Sequence, residues 1–310
     1  MKLIDPSFEI IEQENPIMKP DKDRNFIIGE LIEKAKKQIE LAGRICYKSE
    51  DKITEDSYKQ FFKTIRDKDH LSVFEHGTLY FRIVLGSPLY DDHYLWKANV
   101  IQFFKRNPYS RVVEVKENVT IEDGVNIDVQ SFYITTNYRV IEENFNKKKV
   151  KVNSLMDEIS EDALFDYLCI PTERHQKRIS VRFICSRGIS HELVRHRVFS
   201  FAQESQRYCN YSKGKYGMEV TFIKPQYFND IPRFEESLIQ SENNYFYLMG
   251  IGALPQEARE VLPNATKTEV IMTGYIDDWK EFFKLRTSKR AHPEMRRLII
   301  PLQKEFEKYV

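Results

Sequence analysis

Two strand-like runs in the second half of the chain each lead directly into a helical pattern. The run ISVRFICS at 179–186 precedes GISHELV, a short helix expected to start after Gly188 and Ser190. The run TEVIMTGYI at 268–276 precedes Asp277, which is a candidate helix cap. Runs rich in β-branched residues predict strands, and apolar residues three and four apart predict helices. The chain is therefore expected to fold as a mixture of helices and sheet.

Helical patterns occupy both ends of the chain. Apolar residues at helical spacing predict helices over 26–48, 55–68 and 234–250. Pro255 and Pro293 each stand where a proline opens a helix, at the start of PQEAREVL and of the last amphipathic segment. The sheet is therefore expected to have helices packed against it.

The region between residues 86 and 180 is less regular. NIDVQSFYITTNYRVI at 126–141 predicts a strand, and NFNKKKVKVNS at 144–154 predicts a basic, polar loop. Part of this region is interpreted as a strand-rich insertion. Because no Gly/Ser-rich or Pro-rich linker divides the chain, we predict one domain covering residues 1–310, of the α/β (α+β) class.

Charge and cysteine content restrict the function. The chain has 48 basic and 47 acidic side chains, a net charge of +1, which gives no support to a chain-wide nucleic-acid or membrane role. The four cysteines have no paired spacing, so neither a zinc cassette nor a disulfide framework is predicted. No stretch has the length of a transmembrane helix. We therefore expect a cytoplasmic protein without a nucleic-acid, membrane or metal partner.

The segment RHRVFSFAQESQRY at 195–208 contains three arginines and a single carboxylate, Glu204. Guanidinium groups bind phosphate and carboxylate through paired donors and stay charged. Serine hydroxyls and glutamine amides in the same segment add donors that a nucleotide could use. The glycine-rich loops that usually hold dinucleotides and triphosphates are absent, so side chains are expected to hold any phosphate. A solvated basic surface is the alternative interpretation of the segment alone.

A second segment, HLSVFEH at 70–76, precedes a strand-like run. Its histidines and glutamate could act as acid, base or orienting groups, could bind zinc, or could belong to an ordinary loop. Arg259 and Arg286 each lie in an amphipathic helix, where an arginine taken alone is most often a surface residue or a salt-bridge partner.

These segments together resemble the flavin-dependent thymidylate synthases. The family pattern is R-H-R, two residues, S, four residues, S, one residue and R-Y, and it is matched in order by Arg195, His196, Arg197, Ser200, Ser205, Arg207 and Tyr208. HLSVFEH is similar to the family's H-x-[ST]-x-F-E-H, AREVLP to its A-R-x-x-L-P, and FFKLR to its F-x-x-L-R. The resemblance covers roughly residues 20–85 and 180–308. It departs from the family at Glu192, Ala202, Tyr275, Asp277 and His292.

The resemblance implies a fold and a reaction. The fold would be a central, mainly antiparallel sheet flanked by helices, like that of the thymidylate synthase complementing proteins. The reaction would be the reductive methylation of dUMP to dTMP. Methylenetetrahydrofolate would supply the carbon, and FAD reduced by NADPH would supply the hydride. The family's assembly would be a homotetramer with active sites shared between subunits.

The resemblance also implies roles for individual residues. Arg286 and His70 would be catalytic, with Arg286 stabilising the ionised uracil. The substrate dUMP would be bound by Glu192, Arg195, Gln203, Glu204, Ser205, Gln206, Arg207, Arg259 and Arg286. The flavin would be bound by His70, Ser72, Glu75, Arg195, His196, Arg197, Gln203, Tyr275, Glu281 and His292.

Two other functional classes compete with this enzyme. A module for RNA or single-stranded DNA would also combine arginines with aromatic residues, but the near-zero net charge opposes it. A zinc hydrolase would rest on His70, His76, His191 and His196. Within the flavin enzyme, Cys209 and Ser205 are the candidate nucleophiles, and we expect that neither is required, because reduced flavin can deliver hydride to the ring.

Overall fold

The computed structural model describes residues 1–16, 23–86, 91–120, 126–145, 161–227 and 231–309. Its strands are β1 Lys2–Ile4, β2 Ser7–Ile11, β3 Thr78–Leu85, β4 Arg111–Thr120, β5 Asn126–Asn137, β6 Arg178–Ser186, β7 Ser200–Gln203, β8 Thr221–Ile223 and β9 Lys267–Tyr275. Its α-helices are α1 Arg24–Tyr47, α2 Ser57–Asp67, α3 Tyr94–Arg106, α4 Tyr138–Asn144, α5 Glu161–Phe165, α6 Arg187–Leu193, α7 Ile231–Gly250, α8 Pro255–Ala258, α9 Ile276–Arg286 and α10 Pro293–Phe306. Short 3-10 turns include Leu71–His76 and Arg259–Val261.

Contacts along the chain define two compact units. One, called here the motif unit, comprises Met1–Glu12, Leu41–Glu55 and Ile179–Val310. The other, called the central unit, comprises Gln13–Glu40 and Asp56–Arg178. The expected single domain over 1–310 stays a prediction.

The motif unit is built on a sheet with the strand order β2-β6-β9-β7. In this sheet β2 pairs antiparallel with β6, and β7 pairs antiparallel with β9. A separate parallel pair joins β1 to β8. Helices α9 and α10 cover the sheet with an aromatic core in which Trp279 is fully buried and donates its indole N–H to the Ile179 carbonyl at 3.1 Å. The mixed, mainly antiparallel fold expected from the sequence is confirmed.

One position in this core has no space for a side chain. A Cβ atom built on Gly274, in β9, would lie 2.3 Å from the ring of Phe199. Phe199 is buried and immediately precedes β7. Glycine at 274 therefore allows the backbone of β9 to lie against the aromatic ring that ends the R-H-R turn.

The central unit has a three-stranded antiparallel sheet in the order β3-β5-β4. Because β5 is the middle strand, the segment interpreted as an insertion forms part of a sheet with β3, which precedes that segment. Phe62 of α2 stacks on Phe74 with ring centroids 4.3 Å apart, and Trp96 of α3 packs against Tyr167 at 5.3 Å. The insertion itself stays a prediction, and most of the basic loop expected at 144–154 lies outside the described residues.

A cluster of hydrogen bonds and ion pairs surrounds Glu117 on the central unit's sheet. Glu117 of β4 accepts hydrogen bonds from Arg82 at 2.8 Å and from Tyr133 at 2.9 Å, and it also accepts from Arg174 and Ser131. The Ser131 hydroxyl, with Tyr133 and Arg82, lowers the pKa of this carboxyl to about 2, although partial burial opposes the shift. In this cluster the arginines therefore pair with a carboxylate of the protein itself.

Three details of the sequence prediction are wrong. The strand predicted over 126–141 ends at Asn137, whose side chain caps helix α4 by accepting from the Val140 N–H at 3.1 Å. Helix α6 starts at Arg187 rather than after Ser190, because Ser186 caps it by accepting from the Ile189 N–H. Tyr275 holds the cap position of α9, and Asp277 lies within the first turn, where a carboxylate still favours the helix dipole.

Candidate active site

The R-H-R segment of the motif unit lies between helix α6 and strand β7. Helix α6 ends at Leu193, the backbone turns through residues 194–199, and β7 begins at Ser200. The His196 N–H donates to the Leu193 carbonyl and the Phe199 N–H donates to the His196 carbonyl, both at 3.1 Å. These hydrogen bonds form a compact turn that presents the segment beside α9.

Arg286, the last residue of α9, is held by the R-H-R segment and by α6. Its Nε donates to Nε2 of His196 at 2.8 Å, and its Nη1 donates to Oε2 of Glu192 at 2.9 Å. Its Nη2 donates to the Glu192 main-chain carbonyl at 3.0 Å. The fold thus brings together two motifs that are 90 residues apart in the sequence.

His196 has a strongly perturbed pKa. Burial lowers it, and the charges of Arg286 and Arg195 lower it further, to about 4. The ring lies edge-on to Phe282 with centroids 4.8 Å apart. At neutral pH the imidazole is therefore uncharged and can serve as a hydrogen-bonding or stacking group rather than as a cation.

Three arginines of the segment are exposed to solvent: Arg195, Arg197 and Arg207. In the described part of the chain they form no ion pair, and Arg207 instead lies over the ring of Tyr208 at 5.7 Å. Their charges are available to an anion from outside the unit.

Behind the segment, carboxylates are paired with cations. Glu204 is buried and accepts from Lys267 of β9 at 2.9 Å, while Gln203 donates to the Ser190 hydroxyl at 2.9 Å. Lys267 also pairs with Glu269, whose pKa is about 2; burial alone would raise it, but Lys267 and Lys48 lower it. The Ser205 N–H donates to the Cys46 carbonyl at 3.0 Å. Lys267 was not a sequence candidate, and its alternation with Glu269 on one face of β9 was the signal.

Arg187 is a second residue that the sequence interpretation missed. It is half-buried at the start of α6, and its side chain forms no hydrogen bond or ion pair within the described ranges. Burial lowers its pKa and so does the charge of Arg259, whereas Tyr211 and Glu204 raise it. Nearby on the chain, Gln206 is buried and its Nε2 has no acceptor among the described residues. The only local signal was a basic residue directly after a buried strand.

A cavity of about 450 Å³ brings together Glu192 and His292. Its floor is largely apolar, and it is also lined by Tyr227, Asn264 and Glu294. His292 caps α10, since its Nδ1 accepts from the Glu294 N–H at 3.2 Å. No lysine or arginine is among the described residues that line the cavity, and these residues are poorly suited to a phosphate group.

Other predicted residues lie elsewhere. His70, Ser72 and Glu75 belong to the central unit, where His70 and Ser72 are exposed and Glu75 pairs with Arg139 at 2.7 Å. In the motif unit, Tyr275 is buried at the end of β9. Glu281 is exposed on α9 and pairs with Lys284 at 3.3 Å.

Two negative observations concern the described residues. Within them, no group of three or more His, Cys, Asp or Glu side chains is arranged to hold a metal ion. Among the same residues, no helix has both the length and the apolar character to cross a bilayer.

Comparisons with known proteins show what the second half of the chain is similar to. Residues 175–310 match the family model described as "Thymidylate synthase complementing protein". A flavin-dependent thymidylate synthase of Pyrococcus furiosus is 32% identical over 128 residues, which are 40% of this chain and 52% of the relative. Proteins with the same name from Corynebacterium efficiens and Geobacter sulfurreducens are 32% and 34% identical over 134 and 117 residues, 37% and 38% of this chain. The matches cover 51% and 50% of these relatives. The chain thus spans about half the length of the curated relatives it matches.

Proposed function

We propose that the chain, whose residues 175–310 match the family model of the thymidylate synthase complementing proteins, is a flavin-dependent thymidylate synthase. It would convert dUMP to dTMP, with methylenetetrahydrofolate as carbon donor and NADPH-reduced FAD as hydride source. The observation that carries the proposal is the 2.8 Å hydrogen bond between Arg286 and His196. It joins the two segments that resemble the family most specifically, at a site where a fixed cation faces the R-H-R turn.

The side chains fit a nucleotide and a flavin. Arg195 and Arg197 are exposed without a carboxylate partner in the described ranges, so a flavin pyrophosphate would match their charge. His196 is neutral and lies between Arg286 and Phe282, which suits a planar ring system. When bound, FAD would supply the hydride that the protein's side chains cannot supply.

The dUMP phosphate would be held by cations around β6 and β7. The cations in this proposal are Arg207, Arg259 and Arg187. Arg187 is half-buried, and the charge of Arg259 is close enough to lower the pKa of Arg187. The unsatisfied Nε2 of Gln206 offers a further donor. Arg286 would stabilise negative charge on the uracil ring, a contribution of several kcal/mol where water is excluded. Glu192, Arg195, Gln203, Glu204 and Ser205 would complete the nucleotide site.

The remaining flavin contacts would come from residues placed in different parts of the chain. They are His70, Ser72, Glu75, Tyr275, Glu281 and His292. We infer a homotetramer with shared active sites, because exposed apolar residues flank the motif arginines: Val194, Val198, Tyr208 and Leu285. Mixing inactive Arg207→Ala and His70→Ala proteins should restore part of the activity. Active, flavin-loaded monomers in light scattering would contradict sharing.

A cytoplasmic location is part of the same proposal. Cys46, Cys169, Cys185 and Cys209 are all free thiols, as a reducing compartment requires.

The test is an assay of the purified protein. It should show the visible absorbance of bound FAD, and should release tritium from dUMP labelled at carbon 5 when NADPH and methylenetetrahydrofolate are present. Fully flavin-loaded protein that forms no dTMP under these conditions would reject the proposal. Bound zinc with hydrolase activity, or tight binding of single-stranded nucleic acid without bound flavin, would favour the alternatives instead.

A further inference from the structure

Glu192 supplies two of the three acceptors that hold Arg286. A guanidinium group has five N–H donors, and three of them are used here: one by His196, one by the Glu192 carboxylate and one by the Glu192 carbonyl. Both side chains are largely sheltered, with exposures of 17% for Arg286 and 28% for Glu192. A sheltered cation with a fixed carboxylate partner keeps a defined orientation.

The hydrogen bond to His196 determines where the imidazole carries its proton. Arginine keeps its Nε proton at all pH values in proteins. The Nε2 atom of His196 accepts the hydrogen bond from this N–H, with 2.8 Å between the two nitrogens, and must therefore present a lone pair. A neutral imidazole with a lone pair on Nε2 carries its proton on Nδ1.

We propose that Glu192 is a positioning residue: it orients Arg286, and through Arg286 it fixes His196 as the Nδ1–H tautomer. Two N–H donors of Arg286 remain unused by the protein in the described ranges, enough to meet adjacent acceptors on the edge of an ionised pyrimidine. The identity of that ligand rests on the proposed function, whereas the tautomer does not.

The charge of Glu192 also affects the electrostatics of the site. Its Oε2 accepts from Arg286, and the residue lines the cavity of about 450 Å³ described above. It therefore balances the Arg286 charge from the side of the cavity, while the R-H-R turn holds the guanidinium from the other side. Replacing Glu192 by alanine removes only the carboxylate, so the guanidinium loses its charged partner and keeps two of its three observed acceptors, His196 and the main-chain carbonyl of residue 192.

The experiment reads the tautomer directly by NMR on protein labelled with ¹⁵N-histidine. The chain has seven histidines, so a His196→Gln protein assigns the signal. Wild-type protein should show a protonated Nδ1 and an unprotonated Nε2. Glu192→Ala should give exchange between the two tautomers, and Glu192→Gln should retain the wild-type form, because its amide oxygen still accepts from Nη1. Glu305→Gln, which removes the same charge from an exposed position of α10, is the matched control and should change nothing.

Arg286→Lys provides a second variant should Glu192→Ala fail to fold. Lysine has no Nε–H to donate in this geometry, so His196 should lose its fixed tautomer even with Glu192 intact. A protonated Nε2 in wild-type protein would overturn the inference. So would an unchanged His196 signal in a folded Glu192→Ala protein.

Turnover gives an independent measure. Glu192→Ala should lower kcat by about tenfold or more, the scale of one hydrogen bond to a charged group, and Glu192→Gln should stay within about threefold of wild type. If wild-type protein itself makes no dTMP, the proposed function fails, and the NMR result still decides the role of Glu192.

Discussion

Two groups of arginines, one in each unit of this molecule, differ in their partners. In the central unit, Arg82 and Arg174 both pair with Glu117, which also accepts hydrogen bonds from Ser131 and Tyr133. Both arginines therefore have a carboxylate partner within the unit. In the motif unit, Arg195 and Arg197 are exposed and form no ion pair in the described part of the chain. Similar side chains therefore pair with the protein's own carboxylate in one place and, in the function that we propose, with an external anion in the other.

The difference shows what distinguishes a binding arginine from a structural one. Residue type and local charge density are poor guides, since both units are rich in charged residues. A carboxylate at hydrogen-bond distance separates Arg82 and Arg174, which have one, from Arg195 and Arg197, which have none in the described ranges. Arg286 is the instructive intermediate, because it has a carboxylate partner in Glu192 and still keeps donors for a ligand.

The largest expected effect comes from this intermediate case. Arg286→Ala should lower dTMP formation by about 10²- to 10³-fold, since a fixed cation opposite developing negative charge is lost. Flavin content, measured by visible absorbance, should fall much less. Arg286→Lys should recover little, because a point charge does not reproduce the planar, multidentate contacts. Near-normal turnover of the lysine protein would place Arg286 with the structural arginines.

Arg187 and Arg82 make the comparison quantitative. Arg187→Gln should weaken dUMP binding by about tenfold to a hundredfold, the range for a hydrogen bond to a charged group. Arg82→Gln should leave dUMP affinity unchanged, because its partner Glu117 belongs to the protein. Isothermal titration calorimetry on both proteins measures the contrast. Equal losses of affinity would mean that carboxylate pairing does not separate the two classes.

The cluster around Glu117 should make the stability of the protein depend on pH in the acid range. The folded pKa of Glu117 is about 2, below its ordinary value of 4.5. A carboxyl with a depressed folded pKa contributes stability above its unfolded pKa, and that contribution disappears as the pH falls from about 4.5 towards 2. Glu117→Gln should therefore have a lower free energy of unfolding than wild type at pH 7. This difference between the two proteins should decrease as the pH falls from about 4.5 towards 2. Denaturant unfolding at several pH values tests it, and a constant gap would contradict the assignment.

Cys209 should give the smallest effect. It follows the motif directly and is buried, with 1% of its surface exposed. If charges hold the nucleotide and flavin delivers hydride, no thiolate is needed, so Cys209→Ser should keep turnover within about threefold. Cys209→Ala serves as a second variant for the case that a buried hydroxyl perturbs packing. Complete loss of turnover, together with a uracil adduct on Cys209 in peptide mass spectrometry, would reverse this expectation.

The buried strands and the long helices were predictable because their hydrophobic periods are strong. In β6 apolar residues alternate with polar ones over most of the strand, β9 contains the apolar run Val270–Met272, and α1 and α7 have clear helical spacing. Helix α4 was missed because TTNYRVI is rich in β-branched residues, and Asn137 alone marked the change as an N-cap.

The sequence predicted the candidate-site residues that lie in motifs. It did not predict the residues that only tertiary contacts bring into the site. Arg259 and Arg286 were selected by the resemblance of AREVLP and FFKLR to segments of the family, since an arginine in an amphipathic helix is not specific by itself. Arg187 has no such pattern, since its half-buried charge depends on neighbours from other parts of the chain, among them Arg259 and Tyr211. The engagement of Arg286 by the Glu192 carbonyl was likewise invisible, because a main-chain acceptor leaves no trace in the residue types.

The two tryptophans of the chain fall one in each unit: Trp96 in the central unit and Trp279 in the motif unit. Trp279 is fully buried with its indole N–H bonded to the Ile179 carbonyl, while Trp96 is half-buried beside Tyr167. The molecule thus contains a built-in pair of optical reporters. With Trp96 replaced by phenylalanine, indole emission comes from the motif unit alone, and with Trp279 replaced it comes from the central unit alone. Melting curves of the two proteins, compared at one emission wavelength, resolve whether the units lose their structure in one transition or in two.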